Sequence, residues 1–497
     1  MTDTYAKTQF EQVLLTSGLG ALTGERYKES LRDGREVWLN GERIEDVTVH
    51  PAFKGTVDRL AELYDLQHSE GLRDVMTYVD EDSGIRLSKS YLLPRTLDEL
   101  KEKYANSHAW MQNTWGQLGR SPDYMANVVV GLYDFRDELE GNREGFGQNA
   151  VDYWKHCAYN DLALTHALGD PQIDRSKSVL DDPDQGLRII EEREDGIVVR
   201  GAKQLATLAP LSNEVLSYLS ASFAVREAEE FVLWFALPMN TPGLKILCRE
   251  PLGDHEWGHG HPFARQYDEQ DSMLFFDDVF IPWQRVFLMH DGPLALTGLR
   301  RITPWAGYSS HIRFEQRMKT YLGVASLVAD SIGVSGFRNI QEQLGEMTSV
   351  VEIARFLTLA TEAQHTTTSG GLVAPVSSPA VGVYSANISG RMQEILRRIA
   401  ASGMLMQPSQ ADLDSEELRP FLEKYMKGAD GMGVDEKARI FRLAWDLAGD
   451  GFGQRQELYE FLHRGDVTRN LIGLYHRYDK SDLIGRIKTM VSAPLPE

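Results

Sequence analysis

The sequence predicts an α+β protein in three successive parts: an N-terminal α-helical domain over residues 1–162, a β-rich middle domain over 163–290 and a C-terminal helical bundle over 291–497. Apolar residues recur at helical spacing in both outer parts, whereas the middle part carries β-branched and aromatic runs broken by turn residues. The length of 497 residues is sufficient for two or three domains with sizeable cores.

The N-terminal part contains two clear helix signals. Val57, Leu60 and Leu63 are spaced to share one helix face. Further on, Thr96 with Glu99 three residues later forms a capping-box pattern that opens a helix. Another helix is expected over residues 149–164.

In the middle part, the dipeptide Asp195-Gly196 separates two apolar runs and predicts a β-hairpin. The β-rich runs 229–250 and 271–289 follow, and we expect an antiparallel β-domain that ends near residue 290.

Helical periodicity returns after about residue 305. The segment 313–333 carries an apolar stripe suited to a bundle: Phe314, Met318, Leu322, Ala325, Val328 and Ile332. Three more long helices are expected over 339–364, 385–402 and 436–449.

The charge balance excludes some functions. A formal net charge of −21 disfavours non-specific binding to nucleic acid or to anionic membranes, which depends on cationic side chains. Cys157 and Cys248 are the only cysteines, which agrees with a reducing compartment. The N-terminus lacks a secretory signal pattern and no apolar stretch is long enough to span a membrane, so we expect a cytoplasmic protein.

One motif suggests a metal. Residues 255–259 read His-Glu-Trp-Gly-His, the HExxH pattern of zinc hydrolases, and His261 follows as a third potential ligand. That chemistry needs both histidines on one helix face, but helix-breaking residues surround and interrupt the motif: Pro251, Gly258, Gly260 and Pro262. We therefore expect a loop between two strands and no metal in the reaction, although three close histidines can gather adventitious zinc or nickel.

Three polar clusters are candidates for a site. Arg120, Asp123 and Tyr124 lie at a proline-containing break between helices, where the guanidinium suits an anionic or phenolic ligand. His166 precedes the β-domain at an expected domain interface. The glycine-rich run 451–456 opens a helix whose backbone amides suit a phosphate. Each cluster also has an ordinary structural explanation: a helix cap with a surface arginine, a hydrogen-bonded histidine and a helix–helix turn.

Taken together, several segments carry a resemblance over about residues 25–480. They include "LGRSPDY", "NDLALTHALGDPQ", "GAKQLATLAPLSNEV", "FDDVFIPWQRVF" and "GFGQRQELYEFLHRGD", in this order. In these segments the chain resembles the 4-hydroxyphenylacetate 3-monooxygenase family, the oxygenase component of two-component FAD-dependent phenol hydroxylases. The resemblance implies an acyl-CoA-dehydrogenase-like fold with N-terminal helices, a middle antiparallel β-barrel and a C-terminal four-helix bundle.

The resemblance also implies chemistry and partners. A separate flavin reductase supplies reduced FAD (FADH2) by diffusion, O2 is the co-substrate, and a flavin hydroperoxide delivers oxygen to the carbon ortho to a phenol hydroxyl, which gives a catechol. The protein is expected to be a homotetramer, a dimer of dimers.

Residue roles follow from the same resemblance. Arg120 is expected to stabilise the phenolate and the peroxide, Tyr124 and His166 to hydrogen-bond the substrate hydroxyl, and His166 to act as the general base. The implied FAD contacts are His166, Ala167, Leu168, Gln172, Ile173, Asp174, Arg175, Thr207, Gly451, Phe452, Gly453, Gln454, Arg455 and Gln456, the last six from the bundle of the same or a neighbouring subunit.

The substrate stays open between two types. Where the family often has a Ser-Thr pair at the substrate's side-chain end, this chain has Ser220 and Ala221. The lost hydroxyl weakens the case for free 4-hydroxyphenylacetate and favours a carrier-protein-tethered tyrosine derivative, as used in antibiotic biosynthesis.

Other classes remain as alternatives. An acyl-CoA-dehydrogenase-type flavoenzyme is the first, and a zinc hydrolase acting through residues 255–259 is the lesser one. A related CoA-ester dehydratase needs an iron–sulfur cluster on three cysteines and a histidine, for which two cysteines are too few. A non-catalytic binding protein is the remaining class.

Overall fold

A computed structural model of the chain describes residues 20–174, 176–218, 228–253 and 260–492. Arg175, Ser220 and Ala221, three of the predicted site residues, lie outside these ranges, and so do residues 254–259, which include the whole HExxH motif.

The N-terminal part is mainly helical, with two short strand pairs. Its helices are α1 (Gly24–Ser30), α2 (Pro51–Asp65), α3 (Arg73–Met76), α4 (Leu97–Asn113), α5 (Pro122–Asp134), α6 (Arg136–Asn142) and α7 (Phe146–Asn160). Its strands are β1 (Glu36–Leu39), β2 (Glu42–Ile44), β3 (Thr77–Val79) and β4 (Arg86–Ser88). The Thr96–Glu99 capping box opens α4 with both reciprocal hydrogen bonds, which confirms that prediction.

The middle part contributes strands to two sheets and adds one short helix, α8 (Ala264–Tyr267). The strands are β5 (Leu164–His166), β6 (Arg188–Glu192), β7 (Gly196–Thr207), β8 (Glu214–Ser217), β9 (Leu233–Pro238), β10 (Leu244–Cys248), β11 (Asp271–Pro282) and β12 (Val286–Met289). Strands β6 and β7 pair antiparallel around Asp195-Gly196, as the hairpin signal predicts.

Over the described ranges the strands of the middle part lie in two open sheets and form no closed barrel, while β3–β4 and a later hairpin over residues 365–375 are separate two-stranded sheets. The larger sheet has the order β2-β1-β10-β11-β7-β6, and the smaller has β12-β9-β8-β5. Most neighbours are antiparallel, but β1 pairs parallel with β10 and β5 pairs parallel with β8. The expected barrel is therefore wrong, and two sheets take its place. Strand periodicity predicts where a strand lies but not which strand pairs with its edge, and here the N-terminal strands β1 and β2 extend one edge of the larger sheet.

The C-terminal part is helical. Its helices are α9 (Gly292–Ser331), α10 (Arg338–Glu362), α11 (Pro379–Ala400), α12 (Gln410–Asp414), α13 (Arg419–Tyr425), α14 (Val434–Ala448), α15 (Gly451–Leu462), α16 (Val467–Arg477) and α17 (Ser481–Ser492). A small hairpin pairs β13 (His365–Thr367) with β14 (Val373–Pro375).

The predicted stripe on α9 faces the interior, where Phe314, Met318, Ala325 and Val328 are fully buried or nearly so. One continuous apolar core joins α9 to the N-terminal helices, to both sheets and to α10, α11 and α14. The boundaries after residues 162 and 290 stay a prediction.

None of the helices described in the structure is both long and apolar enough to cross a membrane.

Candidate active site

The turn that carries Arg120 is held in place by the buried carboxylate of Asp123. Pro122 starts α5 at a position where proline's fixed φ suits the first helical turn. The next residue, Asp123, is fully buried and accepts hydrogen bonds from four side chains on other parts of the chain: Ser90 (3.1 Å), Asn106 (2.9 Å), Ser107 (2.7 Å) and Ser309 (2.7 Å). Since buried acceptors with this many donors are fixed in place, Asp123 fixes the first turn of α5, with Arg120 just before the helix and Tyr124 within that turn.

The Arg120 guanidinium is nearly buried and has partners on three sides. Its Nε donates to His166 Nε2 at 2.8 Å, and a terminal nitrogen donates to the Tyr459 hydroxyl. Its centre lies 4.5 Å from the centroid of the Tyr124 ring, a cation–π contact. A Cβ at Gly119 would lie 2.4 Å from the Tyr459 ring, so glycine is needed for this close approach.

Arg120 keeps its charge in this site. Burial lowers its pKa, but the electrostatic effects of Tyr459, Tyr124 and Glu269 outweigh burial and raise the pKa above its ordinary value. Glu269 also accepts the backbone N–H of Arg120 at 2.5 Å. The site therefore presents a fixed cation in a desolvated environment.

His166 lies at the end of β5, where the parallel pairing with β8 places it opposite Leu216. Its ring is 3 % exposed, with Nδ1 3.2 Å from the Tyr218 hydroxyl. Burial, and then the nearby Arg120 cation, hold the pKa of His166 well below its usual range. His166 is therefore neutral at pH 7, the state that a general base requires.

Arg455 on α15 joins the bundle to the larger sheet. It binds Asp271 through two nitrogens, at 2.8 and 2.6 Å, and Glu269 at 2.7 Å. The β7–β11 register places Thr207 opposite Asp271, and the Thr207 hydroxyl donates to that carboxylate at 2.9 Å. Burial raises the pKa of Asp271, but Arg455 and Arg249 outweigh it and hold the pKa below its ordinary value.

A cavity of about 490 Å³ opens on the larger sheet, lined by residues of β7, β11 and the segment after β5. Its lining includes two of the predicted FAD contacts, Gln172 and Ile173, with Gly201, Met273 and Phe275. Ile173 is 55 % exposed, and an apolar wall open to solvent on one side suits a large planar ligand. The residues present here therefore fit a flavin nucleotide.

The other predicted FAD positions lie in three places. Ala167 is buried and donates its backbone N–H to Leu216, and Leu168 is partly buried against the core. Asp174 accepts a hydrogen bond from Ser176 at 2.6 Å. The run 451–456 forms the first turns of α15, as predicted, and mostly packs inward there.

In that run, Phe452 stacks on Phe263 with ring centroids 6.5 Å apart, and Gln456 donates to the Gln117 carbonyl at 2.8 Å. Gln454 approaches Gln393 at 3.5 Å. Gly451 and Gly453 lie at the tight α14–α15 turn, where a Cβ on Gly453 would meet the Leu447 carbonyl at 2.2 Å. Only Arg455 of the run reaches toward Thr207, through Asp271.

His261, which follows the HExxH motif, is held by two aspartates. Its Nδ1 lies 3.1 Å from Asp446 and 3.0 Å from Asp450, and these hydrogen bonds raise its pKa to about 9. His261 is therefore a cation that ties the segment before α8 to the α14–α15 turn. In the described ranges, these three residues are the group with metal-ligand spacing.

Sequence reasoning missed Tyr218, Glu269, Asp271 and Tyr459. Tyr459 was within reach of the pattern, because it lies four residues after Arg455 on the same helix face, and the Arg455 guanidinium is 5.2 Å from its ring centroid. Glu269 and Asp271 had no local signal, since their roles depend on Arg120 and Arg455 from distant parts of the chain.

The architecture defines the class first. A solved 4-hydroxybutyryl-CoA dehydratase from N. maritimus superposes with a TM-score of 0.85 at 21% identity and covers 96% of this chain and 96% of the other. That likeness confirms the expected acyl-CoA-dehydrogenase-like fold and nothing about function.

The family is settled by sequence. The family model "4-hydroxyphenylacetate 3-hydroxylase N terminal" matches residues 23–288, and "4-hydroxyphenylacetate 3-hydroxylase C terminal" matches residues 298–492. The chain belongs to the 4-hydroxyphenylacetate 3-hydroxylase family, which confirms the resemblance.

Named relatives and solved structures agree. The 4-hydroxyphenylacetate 3-monooxygenase oxygenase component of Thermus thermophilus is 36% identical over 96% of this chain and 98% of its own. The (3S)-3-amino-3-(3-chloro-4-hydroxyphenyl)propanoyl-[peptidyl-carrier protein SgcC2] monooxygenase of Streptomyces globisporus is 32% identical over 92% of this chain and 88% of its own. An oxygenase component of 4-hydroxyphenylacetate 3-monooxygenase solved with FAD and 4-hydroxyphenylacetate has a TM-score of 0.89 at 35% identity, covering 95% and 98% of the two chains.

Proposed function

We propose that this protein is the oxygenase component of a two-component, FAD-dependent phenol hydroxylase. In the overall reaction, a phenol, O2 and reduced FAD give a catechol, water and oxidised FAD. The observation that carries the proposal is the buried pair of cationic Arg120 and neutral His166 beside Tyr124. A separate cavity on the larger sheet has a lining that suits a flavin.

The residues divide the work as follows. A free phenol loses its proton only near pH 10, and the phenolate is the better nucleophile. The Arg120 cation, in a site from which water is largely excluded, favours the phenolate oxygen more than it would in water. His166 is neutral and accepts the phenol proton at Nε2 once the substrate hydroxyl takes the place of the Arg120 N–H. Tyr124 hydrogen-bonds the same oxygen.

Reduced FAD and O2 supply the electrophilic oxygen, and the reductant comes from a separate flavin reductase. Gln172 and Ile173 hold the flavin in the open cavity on the β7–β11 face, and Thr207 approaches it from the end of β7. The remaining contacts in the loop 172–175 and in the run 451–456 belong to the same proposal. Among these, Arg455 acts mainly through Asp271.

The substrate is a phenol whose tail distinguishes two cases. Relatives include a hydroxylase of free 4-hydroxyphenylacetate and a monooxygenase of a carrier-protein-bound β-amino acid. With Ser220 and Ala221 at the tail end, we favour a carrier-tethered tyrosine derivative, since a thioester needs fewer charged contacts than a carboxylate.

The assembly is a homotetramer in the cytoplasm. Support for self-association comes from apolar side chains that α16 and α17 leave exposed: Leu471, Ile472, Leu483, Ile484, Ile487 and Val491. Both cysteines are free buried thiols, which agrees with a reducing compartment. Light scattering coupled to size exclusion tests the tetramer, and a monomer at micromolar concentration would contradict it.

The function is tested by mixing the protein with reduced FAD, O2 and a phenol, then measuring catechol and hydrogen peroxide. Free 4-hydroxyphenylacetate, free tyrosine analogues and carrier-bound analogues are compared side by side. A catechol product is expected. Turnover of only the free acid would overturn the tethered-substrate assignment, and no catechol from any phenol would overturn the function.

A further inference from the structure

The hydrogen bonds around His166 have a fixed direction. An arginine guanidinium only donates hydrogen bonds, so Arg120 Nε–H donates a hydrogen bond to His166 Nε2 across 2.8 Å. Nε2 therefore carries no proton of its own. Because the buried ring is neutral, its single N–H lies on Nδ1.

That assignment determines what Tyr218 does. The Nδ1–H of His166 donates to the Tyr218 oxygen across 3.2 Å, so the tyrosine is the acceptor in this contact. Its own hydroxyl proton is then left over. Among the hydrogen bonds of the described residues, that proton has no acceptor, although the side chain is only 4 % exposed. A donor left unsatisfied in a buried site is costly unless a ligand accepts from it.

Tyr218 lies beside the residues assigned to the substrate hydroxyl. Its ring packs edge-on against Trp234 at 6.1 Å and lies 5.8 Å from the His166 ring. The charged and titratable groups that act on it are Tyr124 and Arg120, the two residues already assigned to the substrate hydroxyl. Its neighbour in sequence is the segment that carries Ser220 and Ala221.

We propose that Tyr218 is a substrate-contacting residue. It holds His166 in the Nδ1–H tautomer, and its hydroxyl donates a hydrogen bond to the phenolate oxygen of the bound substrate. This inference rests on the proposed function for the identity of the ligand. Before substrate binds, Arg120 fixes this tautomer through Nε2. Once the substrate hydroxyl occupies Nε2, the donor chain runs from His166 Nδ1–H through the Tyr218 hydroxyl to the substrate oxygen, and Arg120 faces the phenolate directly.

The test uses 4-nitrophenol, whose absorbance separates the neutral and ionised forms, bound to the protein with oxidised FAD and no reductant. Tyr218→Phe is expected to weaken the acidity of bound 4-nitrophenol by about tenfold or more, since a hydrogen bond to a charged oxygen is lost. The matched control is Tyr64→Phe, which removes another buried hydroxyl that has no hydrogen-bond partner among the described residues. That control should keep the wild-type acidity of the bound phenol.

Replacement of Tyr218 by 3-fluorotyrosine keeps the ring and the hydroxyl but makes the hydroxyl a stronger donor. It should increase the acidity of bound 4-nitrophenol, and it provides a readout if Tyr218→Phe does not fold. Wild-type acidity in a folded Tyr218→Phe protein, or no change with 3-fluorotyrosine, would overturn the inference. A wild-type protein that binds 4-nitrophenol with this Tyr218 dependence but forms no catechol would instead overturn the proposed function.

Discussion

Replacing Arg120 by methionine should sharply lower hydroxylation and leave the fold intact. Methionine keeps the length of the side chain but carries no charge and no donor. The variant loses the hydrogen bonds to His166 and Tyr459 and the cation over the Tyr124 ring. It orphans no buried carboxylate, because Glu269 keeps the Arg455 ion pair and the backbone N–H of residue 120.

The expected size follows from these contacts. A charge-assisted hydrogen bond contributes about 1.5–3 kcal/mol, so losing it at the phenolate lowers kcat/KM for catechol formation by roughly 10- to 150-fold. Reduced FAD should still be oxidised, and its two electrons should reduce O2 to hydrogen peroxide. The assay mixes anaerobically reduced FAD with O2 and a phenol and quantifies both products. Arg120→Lys retains the charge without the planar fork, so its kcat/KM for catechol formation should lie between those of the wild type and Arg120→Met.

The control is Arg200→Met, which removes a half-exposed arginine paired with Asp278 on the sheet surface. It should leave catechol yield and thermal midpoint unchanged. A wild-type catechol yield and KM in Arg120→Met would refute the assignment of Arg120. A fall in the thermal midpoint comparable to a core truncation would refute the argument that the site tolerates its loss.

Three further outcomes are expected. His166→Ala should lose catechol formation while reduced FAD is still oxidised to give peroxide, and unchanged coupling in the product assay would contradict its role as base. Acid should destabilise the protein, because burial holds the pKa values of His166 and His311 well below the ordinary 6.5. Below pH 6.5 the unfolded chain therefore binds protons that the folded chain does not. Each histidine lowers the free energy of unfolding by up to about 1.4 kcal/mol per pH unit of acidification. The urea concentration at the unfolding midpoint should therefore fall as the pH is lowered from about 6.5 to about 5.5, less steeply in His311→Gln, and a midpoint that rises on acidification would count against this. His261 acts oppositely, because its raised pKa stabilises the fold at low pH and this stabilisation is lost as the pH rises from 6.5 through about 9. Dialysis against a chelator should leave hydroxylation unchanged, and loss of activity restored by zinc would revive the hydrolase alternative.

The sequence predicted the elements of the fold better than their assembly. Helix caps and hairpin turns are local signals, so the Thr96–Glu99 box and the Asp195-Gly196 turn could be read directly. Sheet closure depends on which distant strand reaches an edge. The barrel expectation failed for that reason, since the N-terminal strand β1 pairs with β10.

The site shows the same division. Arg120, Tyr124 and His166 could be found because they lie in recognisable segments, and the structure brings them together. The residues that fix their chemical states could not, because Tyr218 and Glu269 acquire their roles only through contacts across the fold. The tautomer of His166, for example, depends on a donor 46 positions earlier in the chain.

Glu269 and Arg455 make the site a product of all three parts of the chain. Arg120 comes from the helical N-terminal part, Glu269 from the segment before β11, and Arg455 from the bundle. Glu269 holds the backbone of Arg120 with one oxygen and the guanidinium of Arg455 with the other. Asp271 binds the other nitrogens of Arg455 and also accepts from Thr207. A shift of α15 would therefore move Arg120 and Thr207 together. On the proposed roles of Arg120 and Thr207, the positions of substrate and flavin would therefore be coupled through one buried ion-pair cluster.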